Sequence, residues 1–336
     1  MFPDTSKIAS LVKDAKHVLV VQADNPDADS LGSALALESV LGDYGKEVSL
    51  YCAVDMPGYL RYLNGWDRVS KDLPHSFDLA VIVDASTTTL LDKLKDPHFK
   101  GVLTSKPVVV LDHHGTVQDK IDFATATIVD DTASSTGELI YLLAKQVGIP
   151  VPVNAGEFMM AAILGDTQGL TNELTTATTY HVMAELTKLG VSRPALEEAR
   201  REFGKMPETI FRYKAELIRR TELYDDGNVA VVSIPQSELN EYSPLYNPPA
   251  LIQFDTLQVT GVQISIVLKM YENGRITAAI RSNQSAPIAA ALADKFGGGG
   301  HPHASGFKLE DGRPFNEVKS ECIHAATELL QNMTKD

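Results

Sequence analysis

Four short apolar runs, separated by helical patterns, fill the first half of the sequence. They span residues 17–23, 47–53, 79–85 and 107–113. Their Val, Ile and Leu content is nearly continuous, which predicts β-strands covered on both faces. The segment between the first two strands repeats apolar residues at helical spacing and ends at Gly45, a typical helix stop. This alternation predicts an α/β fold in which a mostly parallel sheet is flanked by helices.

The rest of the chain is first helical and then returns to strands. Residues 134–190 hold three helical patterns, and the charged, helix-prone residues 193–222 predict a helical linker. Beyond the linker, three apolar runs and the turn Glu-Asn-Gly-Arg at 272–275 predict strands with a hairpin, whereas the proline-rich residues 240–254 predict a loop. The predicted organisation is a domain at 1–192, the linker, and a smaller α/β domain at 223–336.

Composition narrows the class of protein. A chain of 336 residues with 44% hydrophobic content can fill two compact cores. Its formal net charge of −14 argues against a broad surface for duplex DNA or anionic membrane, but short phosphate ligands can still bind through metals or a few cations. The two cysteines, Cys52 and Cys322, form no C-x-x-C pair, and no signal peptide or membrane span is evident. We therefore expect a cytoplasmic protein without disulfides.

Potential metal ligands stand where several predicted elements end. Asp27 and Asp29 follow the first strand, Asp84 ends the third, Asp112, His113 and His114 end the fourth, and Asp166 ends a helix. The carboxyl ends of parallel strands meet at one sheet edge, so we expect these side chains to converge. One such aspartate is usually a cap or turn residue. Several together would repel one another without cations, and oxygen with imidazole ligands suits Mn²⁺ or Mg²⁺, so the set predicts a metal pair.

Six motifs resemble those of one enzyme family. They are DNPDADSLGS (24–33), VIVDAS (81–86), LDHHGT (111–116), ASSTGELI (133–140), AILGDTQGL (162–170) and GGGGHPHASGF (297–307). The first five resemble, in order and spacing, the motifs of the DHH phosphoesterase family, and the last is similar to the signature of the family's associated C-terminal domain. The resemblance implies a DHH catalytic domain at 1–192 and a DHH-associated substrate-binding domain at 223–336, in a bilobed enzyme with an interdomain cleft.

The resemblance also implies an activity and assigns roles to residues. The chain is most similar to family members that hydrolyse nanoRNA or linear dinucleotides such as pApA and pGpG to mononucleotides and remove the 3′-phosphate of pAp, with Mn²⁺ in a two-metal site. Homodimers are common among them. The implied roles are Asp27 at one metal, Asp29, His113 and Asp166 at the other, Asp84 as the bridge, and His114 at the reacting phosphate. Asp112 is expected to accept a hydrogen bond from an adjacent imidazole and so fix its orientation.

One position departs from the family pattern. The family usually has a histidine three residues before the proline of its first motif, and that position is Ala23 here. The first metal would therefore lack an imidazole ligand. Either Asp24 or Gln22 substitutes for it, or water fills the gap and that metal binds weakly, or the activity is low or specialised.

A glycine run in the second domain is a candidate phosphate-binding loop. Consecutive glycines at 297–300 let backbone N–H groups approach an anion, and His301 follows them directly. An isolated glycine run is more often a flexible turn. Arg281 and Ser282 end a predicted strand and resemble the family's Arg-Ser pair, which can hold a phosphate, although a surface salt bridge would also explain the arginine. The predicted substrate-binding residues are Arg281, Ser282, Gly298, Gly299, Gly300 and His301.

Three other functions are compatible with parts of this pattern. A manganese pyrophosphatase has similar metal motifs but lacks the glycine-histidine loop. A processive single-strand exonuclease generally carries additional nucleic-acid-binding modules and a basic channel. A non-catalytic nucleotide-binding protein is suggested by Ala23 alone. Hydrolysis of short oligonucleotides is the leading hypothesis, because the other ligand candidates and the loop are all retained.

Overall fold

The computed structural model describes residues 2–115, 119–243 and 246–333, and the chain divides into two compact units. The units are Met1–Lys205 and Met206–Asp336. The segment predicted as a linker contains two helices, of which Arg193–Phe203 lies in the first unit and Glu208–Arg219 in the second. Within the described ranges, no helix is both long and apolar enough to cross a membrane.

The first unit is built on a six-stranded parallel sheet, which confirms the fold predicted for this half of the chain. Its strands are β1 (His17–Val21), β2 (Glu47–Tyr51), β3 (Val69–Ser70), β4 (Leu79–Val83), β5 (Val108–Asp112) and β6 (Ala126–Val129). Their order across the sheet is β3-β2-β1-β4-β5-β6. The chain therefore reverses direction across the sheet between β1 and β4, and ligands of open α/β sheets bind beyond the carboxyl ends of such strands.

Helices cover both faces of this sheet. They are α1 (Thr5–Asp14), α2 (Ala28–Asp43), α3 (Pro97–Thr104), α4 (Thr136–Val147), α5 (Val153–Asp166), α6 (Ala177–Lys188) and α7 (Arg193–Phe203). Val20 of β1 belongs to the same buried cluster as Leu35 of α2 and Met159 of α5. Its neighbour Leu19 belongs to a second cluster with Phe99 of α3, because successive strand residues point to opposite faces.

Helices α2 and α5 approach each other closely. A Cβ added at Gly32 of α2 would lie 2.7 Å from the carbonyl oxygen of Phe158, so only glycine permits this distance. At the other end of the contact, a Cβ added at Gly165 would lie 2.7 Å from the Cβ of Ala28. The start of α2 and the end of α5 are therefore adjacent, which brings together two distant parts of the sequence that carry aspartates.

The second unit contains a smaller mixed sheet, as the sequence predicted. Its strands are β7 (Glu222–Tyr224), β8 (Val229–Ile234), β9 (Ile264–Met270), β10 (Ile276–Ser282), β11 (Gly299–His301) and β12 (Ala304–Leu309), in the order β11-β12-β10-β9-β8-β7. Only the β8–β9 pair is parallel. The helices are α8 (Glu208–Arg219), α9 (Gln236–Tyr242), α10 (Pro248–Leu257), α11 (Ala289–Asp294) and α12 (Phe315–Met333).

Two local predictions in this unit have opposite outcomes. The hairpin at 272–275 is confirmed, with Gly274 at φ 79° between β9 and β10. The loop predicted at 240–254 is wrong over most of its length, because α9 extends to Tyr242 and α10 begins at Pro248. Proline fits the first turn of a helix, where its missing N–H has no partner to lose. Residues 244–245 of that segment lie outside the described residues.

Candidate metal centre

Asp29 lies in the first turn of α2 and is fully buried. Its carboxylate accepts hydrogen bonds from the backbone N–H groups of Thr136 at 2.7 Å and Gly137 at 2.9 Å, and from the hydroxyl of Ser33 at 3.0 Å. The two N–H groups belong to the first turn of α4, where backbone donors lack partners within the helix. The positive end of the α4 dipole therefore stabilises the buried charge of Asp29.

Asp84 directly follows β4 and adopts a left-handed backbone conformation with φ 58°. Its N–H continues the sheet by donating to the carbonyl of Leu111, and its Oδ1 accepts from the Thr136 hydroxyl at 3.2 Å. Burial, together with the charges of Asp29 and Asp27, raises the pKa of Asp84 well above its usual value. Its ionised form therefore requires positive charge nearby.

His113 lies between three carboxylates. Its Nε2 is 2.9 Å from Oδ2 of Asp166, 3.6 Å from Oδ2 of Asp29 and 3.8 Å from Oδ1 of Asp84. Its Nδ1 lies 3.3 Å from the carbonyl oxygen of Ala133. That contact leaves Nε2 as the ring atom that faces the carboxylates.

The protonation of His113 and Asp166 reflects this crowding. Burial opposes the charged imidazole, but Asp166 and Asp29 outweigh that effect and raise the pKa of His113 to about 9. Burial is also the main reason why the pKa of Asp166 rises to about 6, despite the favourable contact with His113. Without a cation, a proton on His113 offsets part of the negative charge.

Asp112 and His114 form a pair beside this group. Oδ1 of the buried Asp112 accepts from Nδ1 of His114 at 2.8 Å, and also from the backbone N–H groups of His113 and His114. Burial opposes ionisation of Asp112, yet the hydrogen bond from His114 lowers its pKa, and the same contact raises the pKa of His114. The exposed imidazole of His114 is thus held in one orientation by Asp112.

Asp27 is the N-cap residue of α2. Its side chain accepts from the backbone N–H groups of Asp29 and Ser30, each at 3.0 Å, and the Ser30 hydroxyl accepts from the Asp27 N–H. This capping box explains why the helix begins here. The charge of Asp27 also raises the pKa of Asp84 and of Asp166, so its carboxylate acts on the same group of side chains.

These side chains can hold divalent cations. Two sets place one ligand atom from each residue within 4.8 Å of one another, namely Asp84 with His113 and His114, and Asp29 with His113 and Asp166. In the part of the chain that the structure describes, the ion pairs of these carboxylates are made with His113 and His114. The carboxylate oxygens of Asp29, Asp84 and Asp166 and the imidazole nitrogens form a donor set that suits Mn²⁺, Mg²⁺ or a similar metal.

Two contributors to this centre were not predicted from the sequence. The segment Ser-Ser-Thr-Gly at 134–137 reads as an ordinary helix start, and Ser135 does cap α4 by accepting from Glu138 N–H at 3.0 Å. Thr136 and Gly137, however, also hold Asp29 and Asp84. Only the packing of α4 against α2 reveals this second role.

The glycine run of the second unit is partly a strand. Gly299–His301 form β11, which pairs with β12. A Cβ at Gly298 would collide with the backbone of Gly306, and Gly300 has φ 138°, so close backbone packing requires glycine at both positions. Gly299 and His301 are exposed. Gly298 and Gly300 therefore serve the fold, whereas Gly299 and His301 are open to a ligand.

Arg281 and Ser282 end the adjacent strand β10. Arg281 pairs in register with Ala304 of β12, and its exposed guanidinium donates to the carbonyl of Ile280 at 2.9 Å. Ser282 is buried, and its N–H donates to the carbonyl of His303 at 3.1 Å. Strands β10, β12 and β11 are neighbours, so Arg281 and His301 occupy the same end of this sheet.

Comparison with known proteins identifies related chains. Residues 17–163 match the model of the DHH family, N-terminal domain. A Thermus thermophilus protein named bifunctional oligoribonuclease and PAP phosphatase NrnA is 27% identical over 307 residues, which cover 91% of this chain and 88% of that protein. A Bacillus subtilis protein of the same name is 25% identical over 290 residues, covering 84% and 86%.

A solved structure has a similar fold. The crystal structure of an exopolyphosphatase-related protein from Bacteroides fragilis superimposes with a TM-score of 0.82 at 21% sequence identity and covers 97% of each chain. This likeness supports the α/β architecture described above. At that level of identity it concerns the fold alone.

Proposed function

We propose that the chain hydrolyses short oligonucleotides to mononucleotides, as the match of residues 17–163 to the DHH family, N-terminal domain, supports. Its substrates would be nanoRNA and linear dinucleotides such as pApA and pGpG, and it would also remove the 3′-phosphate of pAp. The named relatives from Thermus thermophilus and Bacillus subtilis support this substrate class. The observation that carries the proposal is the convergence of Asp29, Asp84 and Asp166 on Nε2 of His113, with distances of 2.9 to 3.8 Å, which forms a donor set for divalent cations.

Specific residues would hold two metal ions, for which we propose Mn²⁺. Asp29, His113 and Asp166, whose ligand atoms lie within 4.8 Å of one another, would form one set of ligands, Asp27 would belong to the other, and Asp84 would be shared between them. The existing hydrogen bonds support this division, since Thr136 and Gly137 fix the Asp29 carboxylate while the imidazole Nε2 of His113 faces the carboxylates. When bound, such a metal pair lowers the pKa of water and offsets charge on phosphate oxygens.

His114 and Asp112 would act on the substrate side of the centre. The exposed imidazole of His114 is oriented through Nδ1, which leaves Nε2 able to donate to a phosphate oxygen or to the leaving oxygen. Asp112 raises the pKa of His114 and so keeps it in the donating form. In the second unit, Arg281, the hydroxyl of Ser282, the glycines at 298–300 and His301 are proposed to bind the remaining phosphate.

The test is hydrolysis by the metal-stripped protein, with and without added Mn²⁺. The substrates are pApA, pGpG, an RNA of about five nucleotides, pAp and pyrophosphate. The products are separated by chromatography. We expect mononucleotides from the dinucleotides and the 5-mer, and AMP from pAp, only when Mn²⁺ is present. Phosphate from pyrophosphate alone would instead identify a pyrophosphatase, and no product from any substrate would exclude an enzyme of this class.

The variant Asp84→Asn tests the proposed bridging role of Asp84. Asparagine tolerates the left-handed backbone that alanine would strain, so the fold at this position is kept. The variant lacks the charge needed to bridge two cations, and we expect turnover to fall by at least about a thousandfold. Activity above a tenth of wild type would contradict the bridging role.

A further inference from the structure

Gln22 is a fully buried side chain whose polar atoms are both unpaired. It is 0% exposed, and neither Oε1 nor Nε2 has a hydrogen-bond partner in the described portion of the chain. Burying an amide without partners opposes folding, and native proteins therefore rarely retain such a group without a bound water, ion or ligand. Gln22 lies just beyond the end of β1, five residues before Asp27.

The side chain of Gln22 lies on the face of the sheet that carries the metal centre. Its backbone N–H donates to the carbonyl of Tyr51 at 3.0 Å and so extends the strand pairing by one residue. Val20 packs with α2 and α5, whereas Val21 and Ala23 pack in the cluster on the α3 side. Strand alternation places Gln22 with Val20, on the face covered by the helices that present Asp29 and Asp166.

The two neighbours of Gln22 are committed to other contacts. Ala23 is buried in the α3-side cluster, and its carbonyl accepts from the thiol of Cys52. The Asp24 carboxylate accepts a hydrogen bond from the backbone N–H of Asp92 at 2.5 Å, and the Asp24 N–H donates to the carbonyl of Leu90. Asp24 therefore anchors the segment around residue 92, and its carboxylate is already used there.

We propose that Gln22 belongs to the metal centre and supplies, through Oε1, a ligand to the metal held by Asp27. This inference rests on the proposed two-metal function and identifies the residue that compensates for Ala23. An amide oxygen is a hard, neutral donor of the kind that divalent cations accept. It adds no negative charge to a centre where the carboxylates of Asp29, Asp84 and Asp166 already crowd around His113.

The decisive experiment counts metal ions rather than turnover. Wild type, Gln22→Leu, Gln22→Glu and Gln253→Leu are stripped of metal and titrated with MnCl₂, and free Mn²⁺ is measured by electron paramagnetic resonance. Wild type should bind two ions. Gln22→Leu should bind one with unchanged affinity and the other at least about tenfold more weakly, and Gln22→Glu should restore the second ion.

Stability without metal separates a ligand from an ordinary buried amide. In EDTA, Gln22→Leu should be at least as stable as wild type, because it removes an unpaired polar group. Gln253 is the matched control, since it is also buried but its Nε2 donates to the carbonyls of Ser265 and Ala279. Gln253→Leu should lower the denaturation midpoint and leave Mn²⁺ binding unchanged.

The outcomes distinguish this inference from the proposed function. If Gln22→Leu binds two ions as tightly as wild type, Gln22 is not a ligand, even when the wild-type protein cleaves pApA. If the wild type and Gln22→Leu each bind a single ion with the same affinity, the inference is likewise overturned. Loss of the second ion in Gln22→Leu supports it, and if the wild type then cleaves nothing, the ligand assignment stands while the proposed reaction fails.

Discussion

Nε2 of His113 lies 2.9 Å from Oδ2 of Asp166, so the buried imidazole and the partly exposed carboxylate form an ion pair when His113 is protonated. Without metal, this contact depends on a proton on the imidazole. A cation that takes the same Nε2 as a ligand must displace that proton. The state of this pair therefore links pH, metal binding and the stability of the fold.

The first prediction concerns the metal-free protein. The fold raises the pKa of His113 from 6.5 to about 9, so its stabilising effect is complete below pH 6.5 and is lost as the pH rises through 9. The pKa of Asp166 rises from 3.8 to about 6, so its protonation also stabilises the fold at low pH. This contribution is lost as the pH rises through about 6. We expect the free energy of unfolding in EDTA to fall by about 1–3 kcal/mol between pH 6.5 and 9.

Urea denaturation at several pH values measures this slope. Saturating Mn²⁺ should flatten it, because the cation replaces the proton as the positive charge. His113→Gln is the control variant and should lose most of the slope in EDTA. A wild-type protein that becomes more stable from pH 6.5 to 9 would contradict the charge arrangement described for His113.

The second prediction concerns the stability of Asp84→Asn. The variant removes a buried carboxylate whose ionisation is opposed by burial and by Asp29 and Asp27, while Oδ1 can still accept from the Thr136 hydroxyl. In EDTA at pH 7 the variant should therefore be more stable than wild type by about 1–2 kcal/mol. Addition of Mn²⁺ should raise the midpoint of wild type more than that of the variant. A loss of stability in EDTA would show that Asp84 supports the fold rather than the metals.

The third prediction tests the orientation of His114 by Asp112. Asp112→Asn removes the charge next to Nδ1, so the pKa of His114 should fall and turnover should drop by about 10- to 100-fold. Nuclear magnetic resonance titration of the His114 ring measures the pKa independently of activity. Asp130→Asn is the control, because the Asp130 carboxylate accepts hydrogen bonds from the backbone N–H and the hydroxyl of Thr132. An unchanged His114 pKa in Asp112→Asn would refute the pairing.

The fourth prediction compares two glycines of α2. Gly32→Ala would place its Cβ 2.7 Å from the carbonyl oxygen of Phe158 and force α2 and α5 apart, which should cost about 1–3 kcal/mol of stability. Gly42→Ala meets no atom within 4 Å and should stabilise the helix by up to about 1 kcal/mol. Thermal denaturation of both variants provides the comparison. Mn²⁺ binding should weaken only in Gly32→Ala, since that contact aligns the aspartates of the two helices.

The fifth prediction concerns the thiols. Cys52 and Cys322 are each 0% exposed, and burial raises the pKa of both, to about 12 for Cys322. Neither thiol should therefore react with Ellman's reagent within minutes in the native protein. Two thiols per chain should react after unfolding in guanidinium. Rapid labelling of the native protein would show that one of the two cores opens readily.

The predictable part of the fold is the part with long apolar runs. Strands β1, β4 and β5 are buried over most of their length, β2 is buried at its C-terminal end, and the sequence predicted all four. Strand β3 has two residues and β6 alternates buried with exposed positions over four, so neither produces an apolar run. Helix α10 was missed because its two prolines resemble a break, although they lie where a helix tolerates them.

The convergence of the candidate ligands was predictable for a different reason. Parallel strands share one carboxyl edge, so the aspartates and histidines that follow β1, β4 and β5 had to lie near one another. The donors from Thr136 and Gly137 depend instead on how α4 packs against α2, which local sequence does not encode. The unpaired amide of Gln22 likewise became visible only once its neighbours were placed.

The contact of Ala28 with Gly165 has a consequence for how the protein matures. Ligands that begin at Asp27 and end at Asp166 do not exist as a group until the ribosome has released α5 and that helix has docked. A growing chain therefore lacks the complete set of candidate ligands until α5 has been synthesised and has docked. A divalent cation that bound only the docked state would shift the population of molecules toward that state and so stabilise the finished protein.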